Sequence, residues 1–204
     1  MPAPEADFHL ASGSPRRREL LAQLGYRFGV LSAGIEEVQG ASESGEDYVL
    51  RVAREKAAAG LANRPTGDTR PVLGADTEVL LGDRVLGKPG SREEGLAMLA
   101  QLSGRTHLVL SAVVVNDGQR EGVALSRTKV SLRELAPAEI EAYWASAEPC
   151  DKAGAYAIQG LAAVFVERIE GSYTGVVGLP LFETAALLRE FGIEGWQREP
   201  GEGA

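Results

Sequence analysis

The sequence predicts an α/β protein: one domain spanning residues 1–204, with a mixed β-sheet flanked by helices. Three observations lead there. Short apolar runs alternate with segments whose apolar residues recur every three or four positions. Two long apolar runs surround Asn116-Asp117-Gly118, a strong hairpin signal, so part of the sheet is antiparallel. No internal repeat and no low-complexity linker divides the chain.

Phe8 to Ala11 reads as a strand, and Ser12-Gly13-Ser14-Pro15 as the turn into a helix carrying Leu20, Leu21 and Leu24 that stops at Gly25. Ser14 suits the N-cap, and Pro15 the first helical position, where its missing N–H costs nothing. Tyr26 to Leu31 is a second strand. A polar loop with Glu36 and Glu37 follows. Ser44 with Asp47 then opens a helix through Tyr48, Val49, Val52, Ala53 and Lys56. Val72 to Ala75 is a short strand ending in Asp76 and Thr77, which places Asp76 at a strand's exit. Beside it, Glu78 to Leu81, Gly82-Asp83 and Val85-Leu86 read as a hairpin.

Ser91 with Glu94 opens a helix with Leu96, Met98, Leu99 and Leu102, terminated by Gly104. Strands follow at Thr106 to Val115 and Gly122 to Leu132. Pro137 begins a helix with Ile140, Tyr143 and Trp144, Val164 to Ile169 is a late strand, and a last helix runs from Pro180 to Phe191. Residues 1–7 and 195–204 lack apolar periodicity and are expected to be loose.

Composition narrows the function. With 204 residues, 44% hydrophobic and 25% charged, the chain has the makings of one sizeable core, which excludes disorder as its main state. Its 21 basic and 29 acidic residues give a net charge of -8, so the overall field repels polyanions. Neither nucleic acid nor an anionic membrane is an expected partner, and an anionic ligand requires a local cluster of Arg, Lys and helix N-termini. A single cysteine, Cys150, forms no internal disulfide, and with two histidines it cannot build a structural zinc shell. Any metal is therefore oxygen-bound. The segment Met1 to Asp7 is too short and acidic for a signal peptide, and no apolar run reaches membrane-span length, so a reducing cytoplasm is expected.

The turn at Ser12-Gly13-Ser14-Pro15, with Arg16 and Arg17, brings hydroxyls, backbone N–H groups and two guanidiniums to one helix start. That is an anion site or a capped surface helix with solvated arginines. The Gly-Lys-Ser/Thr ending of a Walker loop is absent. Asp76 stands where α/β folds place ligands and can bind Mg²⁺ or take a proton from water; alone it would read as a turn residue. Glu36 and Glu37, individually weak, could complete an oxygen-ligand site with it. Lys56 is a snorkelling stem or a cleft cation, and Lys88 is held between Gly87 and Pro89. Gln159, in the mixed segment Asp151 to Gly160, can read a base edge with paired donor and acceptor. His9 and His107 read as sheet residues rather than catalysts, and Cys150 has no setting that would acidify it.

Eight blocks in order resemble the Maf family of nucleoside triphosphate pyrophosphatases: Ala11 to Leu21, Glu55-Lys56-Ala57, Gly74-Ala75-Asp76-Thr77, Gly87-Lys88-Pro89, Leu102-Ser103-Gly104, Asp151 to Tyr156, Ile158-Gln159-Gly160, and Gly171-Ser172-Tyr173 with Val176 to Leu181. The resemblance implies a fold similar to the inosine triphosphate pyrophosphatases, two lobes around a cleft, and a homodimer. It implies hydrolysis of a nucleoside triphosphate to monophosphate and pyrophosphate. The Ile158 and Gly171 blocks place the chain with the dTTP/UTP-type branch. By the same resemblance, Asp76 is the proton acceptor, Arg16, Thr77 and Gln159 bear on base selectivity, and Ser12, Arg17, Glu37, Lys56 and Lys88 complete the polar cleft. Glu78 departs from the pattern, replacing a usual aliphatic residue; Ser111 stands where threonine is common, and Ala157 and Ala162 replace glycines.

The mechanism so implied is metal-assisted attack of water on the α-phosphorus, with Glu37 and Asp76 holding Mg²⁺ or Mn²⁺ and Arg16, Arg17, Lys56 and Lys88 neutralising the triphosphate. Two alternatives stand beside it: a pyrophosphatase for purine or modified nucleotides such as ITP or 7-methyl-GTP, and a non-catalytic nucleotide-binding regulator of septum formation.

Overall fold

The structure is a computed structural model in which residues 6–195 are described. Over these residues the strands are β1 (Phe8–Leu10), β2 (Phe28–Val30), β3 (Val72–Leu81), β4 (Arg84–Leu86), β5 (Thr106–Asn116), β6 (Glu121–Leu132) and β7 (Val166–Glu170). The helices are α1 (Pro15–Gln23), α2 (Gly45–Ala62), α3 (Arg92–Leu102), α4 (Pro137–Ala145), α5 (Tyr173–Val177) and α6 (Leu181–Glu190). One mixed sheet has the order β2-β1-β3-β5-β6-β7, with β4 also on β3. The pairs β1–β2 and β1–β3 are parallel and the others antiparallel. The predicted α/β class with a mixed sheet is what is found.

Strand β3 organises the rest. Along one edge it pairs with β5 from Val72 opposite Asn116 to Leu80 opposite Leu108. Its other edge is divided between two short partners: β1 covers Val72 and Leu73, and β4 covers Val79 to Leu81. The stretch from Gly74 to Glu78 faces no strand on that side. Asp76 therefore lies mid-strand, opposite Ala112, and not at the strand's exit as expected. The strand that ends there is β1, whose last sheet bond runs from the Ala11 N–H to the Leu73 carbonyl at 2.8 Å.

Alternation sends Leu73, Ala75, Thr77 and Val79 to one face of the sheet and Gly74, Asp76, Glu78 and Leu80 to the other. Helix α2 packs on the second face, where Val49, Ala53, Ala57, Leu80, Leu110, Ala112 and Val114 form an apolar cluster. Its approach is close because residue 74 is glycine: a Cβ there would stand 2.4 Å from the Ala53 carbonyl and 2.5 Å from the Ala57 nitrogen.

On the first face the core is in two parts. Phe8, Leu10, Leu73, Ala75, Val113 and Val115 pack with α1 and α6, while Val79, Val109 and Val130 pack with α3 and α4. Between them Thr77 sits opposite Ser111, their hydroxyls 3.0 Å apart. Ser111 Oγ donates to the Gly175 carbonyl at 2.6 Å, which ties α5 to the sheet at this polar waist. Leu99, Leu102 and Leu188 are fully buried, and each contributes about 1.5–3 kcal/mol by leaving water.

Helix α5 and the 3₁₀ turns between Glu148 and Phe165 were not predicted, being too short for a periodicity to register. The last of these turns, Leu161–Phe165, takes the residues expected to begin the late strand, so β7 starts at Val166. Most of the ends expected to be loose lie outside the described residues. Within them, Asp7 accepts hydrogen bonds from Arg27 at 2.9 and 3.3 Å, and Gly195 packs against Tyr26.

Candidate active site

A cleft of about 1220 Å³ lies against the uncovered stretch of β3, beyond the C-terminal ends of the parallel strands β1 and β2. Ser12, Arg16, Arg17, Glu37, Lys56, Asp76, Thr77, Lys88 and Gln159 all line it. Glu36 does not line it, which separates the two loop glutamates.

Helix α1 buries Arg17, Leu20 and Leu21, positions one helical turn apart, so the Arg17 side chain runs inward where a leucine would be ordinary. Its Nε donates to the Gly178 carbonyl at 2.8 Å and its Nη1 to Ser12 Oγ at 3.1 Å. Ser12 Oγ also accepts the Ser14 N–H at 3.2 Å. Because the Ser12 oxygen is the acceptor in both bonds, its own proton remains available to a ligand. Ser14 holds the N-cap position as expected, yet its side chain caps nothing. Arg16 stands nearer the rim, 3.8 Å from Asp151.

Lys56 is the centre of the site. It projects from α2 between Ala53 and Ala57, the residues that Gly74 admits closest to the sheet. Its ammonium lies 2.8 Å from Asp76 Oδ1 and 2.8 Å from Glu37 Oε1, and the residue is 7% exposed. Of the two roles open to it, the cleft cation is the one observed. Asp76 is 4% exposed, and its Oδ2 is buried without a hydrogen-bond partner.

Charge is crowded here. Burial alone would raise Glu37, but the hydrogen bond from Lys56 and the charges of Lys56, Lys88 and Arg17 reverse this and leave it below its ordinary value. Burial lowers Arg17, opposed by Asp76 and Glu37. Burial, then the charges of Glu78, Asp76 and Glu37, push the Tyr48 phenol up to about 12.

The remaining expected residues sit at the periphery. Lys88 and Gln159 are exposed on the cleft wall. Thr77 turns its hydroxyl to Ser111 and the Gly178 carbonyl, 3.3 Å away. His9 Nε2 is 2.7 Å from Asp68 Oδ2, and His107 Nε2 is 2.8 Å from the Tyr156 hydroxyl, with burial lowering His107 to about 4. Both histidines are sheet residues, as read. Cys150 is exposed.

Sequence reasoning missed the weight of Glu78 and Tyr48. Glu78, which the sequence marks only as a departure from the family pattern, is buried on the face of β3 that carries Asp76, with Oε2 unpartnered. Burial first, then Asp76 and Glu37, raise its carboxyl. The signal that could have found it is the two-residue period, concealed by reading a strand break at Thr77.

A divalent cation suits this donor set. Asp76 Oδ2 and Glu78 Oε2 are buried oxygens without donors, and carboxylates are hard ligands. Among the described residues no group of three His, Cys, Asp or Glu side chains could hold a metal ion by itself. Mg²⁺ sites commonly use one or two carboxylates and complete the shell with water and phosphate.

Comparison with known proteins agrees with the residue pattern. A dTTP/UTP pyrophosphatase of Alkalilimnicola ehrlichii is 57% identical, covering 91% of this chain and 93% of that one. Proteins of the same name from Vibrio parahaemolyticus, 55% identical over 89% and 95%, and Methylococcus capsulatus, 52% identical over 95% and 95%, are also similar. The solved Ham1 protein of Staphylococcus aureus is 11% identical over 61% of this chain and 71% of that one, with a TM-score of 0.37, too low to bear on the argument. The family model described as Maf-like protein matches residues 7–191. By residues, cleft and relatives together, the chain belongs to the Maf-like family.

Proposed function

We propose that this chain hydrolyses nucleoside triphosphates, dTTP and UTP foremost, to the nucleoside monophosphate and pyrophosphate. One observation carries the reading: a Glu37–Lys56–Asp76 ion chain, buried at Lys56 and Asp76, shares a nucleotide-sized cleft with the fixed guanidinium of Arg17. The names of the similar proteins support the choice of pyrimidine triphosphates.

In this mechanism Asp76 Oδ1 is held by Lys56, and Oδ2, buried without a partner, has two lone pairs, one to face a cation and one to accept a proton from the attacking water. Arg17, fixed through Nε and one Nη1 hydrogen bond, offers its remaining N–H groups to phosphate oxygens, and the Ser12 hydroxyl donates beside it. Arg16 and Lys88 add positive charge at the rim, and Thr77 and Gln159 stand on the walls that would meet the base. A Mg²⁺ or Mn²⁺ held by Asp76 and Glu37 would supply charge neutralisation at the triphosphate. A homodimer and a cytoplasmic location complete the reading. Among the described residues no helix is long and apolar enough to cross a membrane.

A panel of dTTP, UTP, ITP and 7-methyl-GTP, assayed with one metal and with products identified, tests this. The expected products are monophosphate and pyrophosphate, fastest from dTTP and UTP. Diphosphate plus phosphate, or binding without hydrolysis, would overturn the reading. A purine or methylated preference would move the chain to another branch.

A further inference from the structure

We propose that Glu78 is a further carboxylate ligand of the divalent cation, shared with Asp76. The inference rests on the pyrophosphatase reading for the presence of that cation, but on different residues and a different measurement.

Asp76 and Glu78 are opposite Ala112 and Leu110 of β5, on the face of the sheet that α2 covers. On that face Val49, Leu80, Leu110 and Ala112 form an apolar cluster beside the charged groups, and an aliphatic residue at 78 would extend it. A carboxylate in that place gives up its hydration and needs a donor or a cation in return. Neither is supplied. Oε2 of Glu78 is buried with no partner, and none of the ion pairs among the described residues includes Glu78. Lys56 is divided between Asp76 and Glu37, and the hydrogen bonds of Arg17 go to Ser12 and the Gly178 carbonyl, none to Glu78.

Asp76 Oδ2 is in the same condition as Glu78 Oε2, and both residues line the cleft. While both are ionised, two orphaned acceptors on one rigid strand cannot satisfy each other, and buried polar atoms are seldom left unpaired. A hard cation answers both at once, since carboxylate oxygens are the ligands that Mg²⁺ and its relatives take. Glu37, by contrast, is 40% exposed on a loop and already engaged by Lys56.

The test is Mn²⁺ binding to the full chain without nucleotide, followed by electron paramagnetic resonance of the free ion. E78Q keeps the shape of the side chain and removes the charge, and its expected effect is about a tenfold or greater loss of affinity. E78V is the second variant: an apolar residue joins the cluster and secures the fold, with the same loss of Mn²⁺ expected. Parent-like affinity in both variants would overturn the inference. D76N, measured in parallel, separates the two levels. If D76N weakens Mn²⁺ binding and the Glu78 variants do not, only the Glu78 assignment falls. If D76N also leaves binding unchanged, or the parent takes up no Mn²⁺, the cation reading falls with it.

Discussion

Helix α2 carries two clusters in which one cation meets two carboxylates, and they differ in what they leave undone. Outside, Arg51 donates through Nε to Glu43 at 2.7 Å, through Nη1 to Glu55 at 3.0 Å, and through Nη2 to Glu43 and the Val38 carbonyl at 2.9 Å each. Glu43, hydrogen-bonded by Arg51 and the Gly40 N–H, is held down to about 2 and stays ionised. Inside, the single ammonium of Lys56 serves Asp76 and Glu37, while a third carboxylate, Glu78, has no cation. The outer cluster commits four of the five Arg51 N–H groups to its own oxygens and lies in solvent, so it has little to offer a ligand. The inner one is deficient in positive charge and in donors, and that deficit is what a metal-bound polyphosphate can make up.

The sharpest way to break this contrast is D76N. Its expected result is a fall in turnover of about 10²–10⁴-fold, read as released pyrophosphate, with an unchanged circular dichroism spectrum. Turnover retained in that variant would remove Asp76 from the chemistry. K56M comes next. It leaves Asp76 buried beside Glu37 without a counter-charge, so a loss of about 3–5 kcal/mol in urea unfolding is expected, together with loss of activity. Parent-like stability would mean that the inner cluster contributes no more than a surface one.

E78V sharpens the comparison through pH. The folded chain raises the Glu78 carboxyl from 4.5 to about 8, under burial and the charges of Asp76 and Glu37, against which Lys56 and Lys88 act. A raised carboxyl favours the protonated folded state, so the parent loses stability as pH climbs from about 4.5 to about 8. In chelator-treated protein, E78V should therefore show little difference in Tm near pH 5 and a gain of several degrees near pH 8, on a scale of about 2–4 °C per kcal/mol for a chain of this size. A pH-independent difference would contradict the assignment of the cost to an ionising carboxylate. R51A should do least: a small fall in Tm, diminished in high salt, with turnover intact. A marked loss of turnover would show that the outer cluster belongs to the site after all.

Most of the fold was legible in the sequence because its signals are local. Ser44 and Ser91 each accept the N–H three residues on, as their capping patterns imply, and the Asn116-Asp117-Gly118 turn joins β5 to β6. The nine candidate site residues share one cleft because the turn into α1, the middle of α2, the middle of β3 and the loops beside them meet there. What could not be read is set by pairing at a distance. Asp76 looked terminal since the apolar run stops there, but β5 carries β3 onward to Leu80. The burial of Glu78 depends on α2 closing over Gly74, a contact between residues far apart in sequence. Short α5 depends on the Ser111 hydroxyl and has no periodicity of its own to announce it.

The uncovered stretch of β3 has one more consequence. A bare strand edge ordinarily invites another chain to add itself, which is the first step toward aggregation. Here β1 and β4 stand on either side of residues 74–78 like the jambs of a doorway. A foreign strand long enough to pair stably would collide with them, whereas a compact ligand passes between. The same interruption that leaves this backbone without a strand partner thus screens visitors by length, and the molecule can keep an unpaired edge in its interior without becoming a template for its own precipitation.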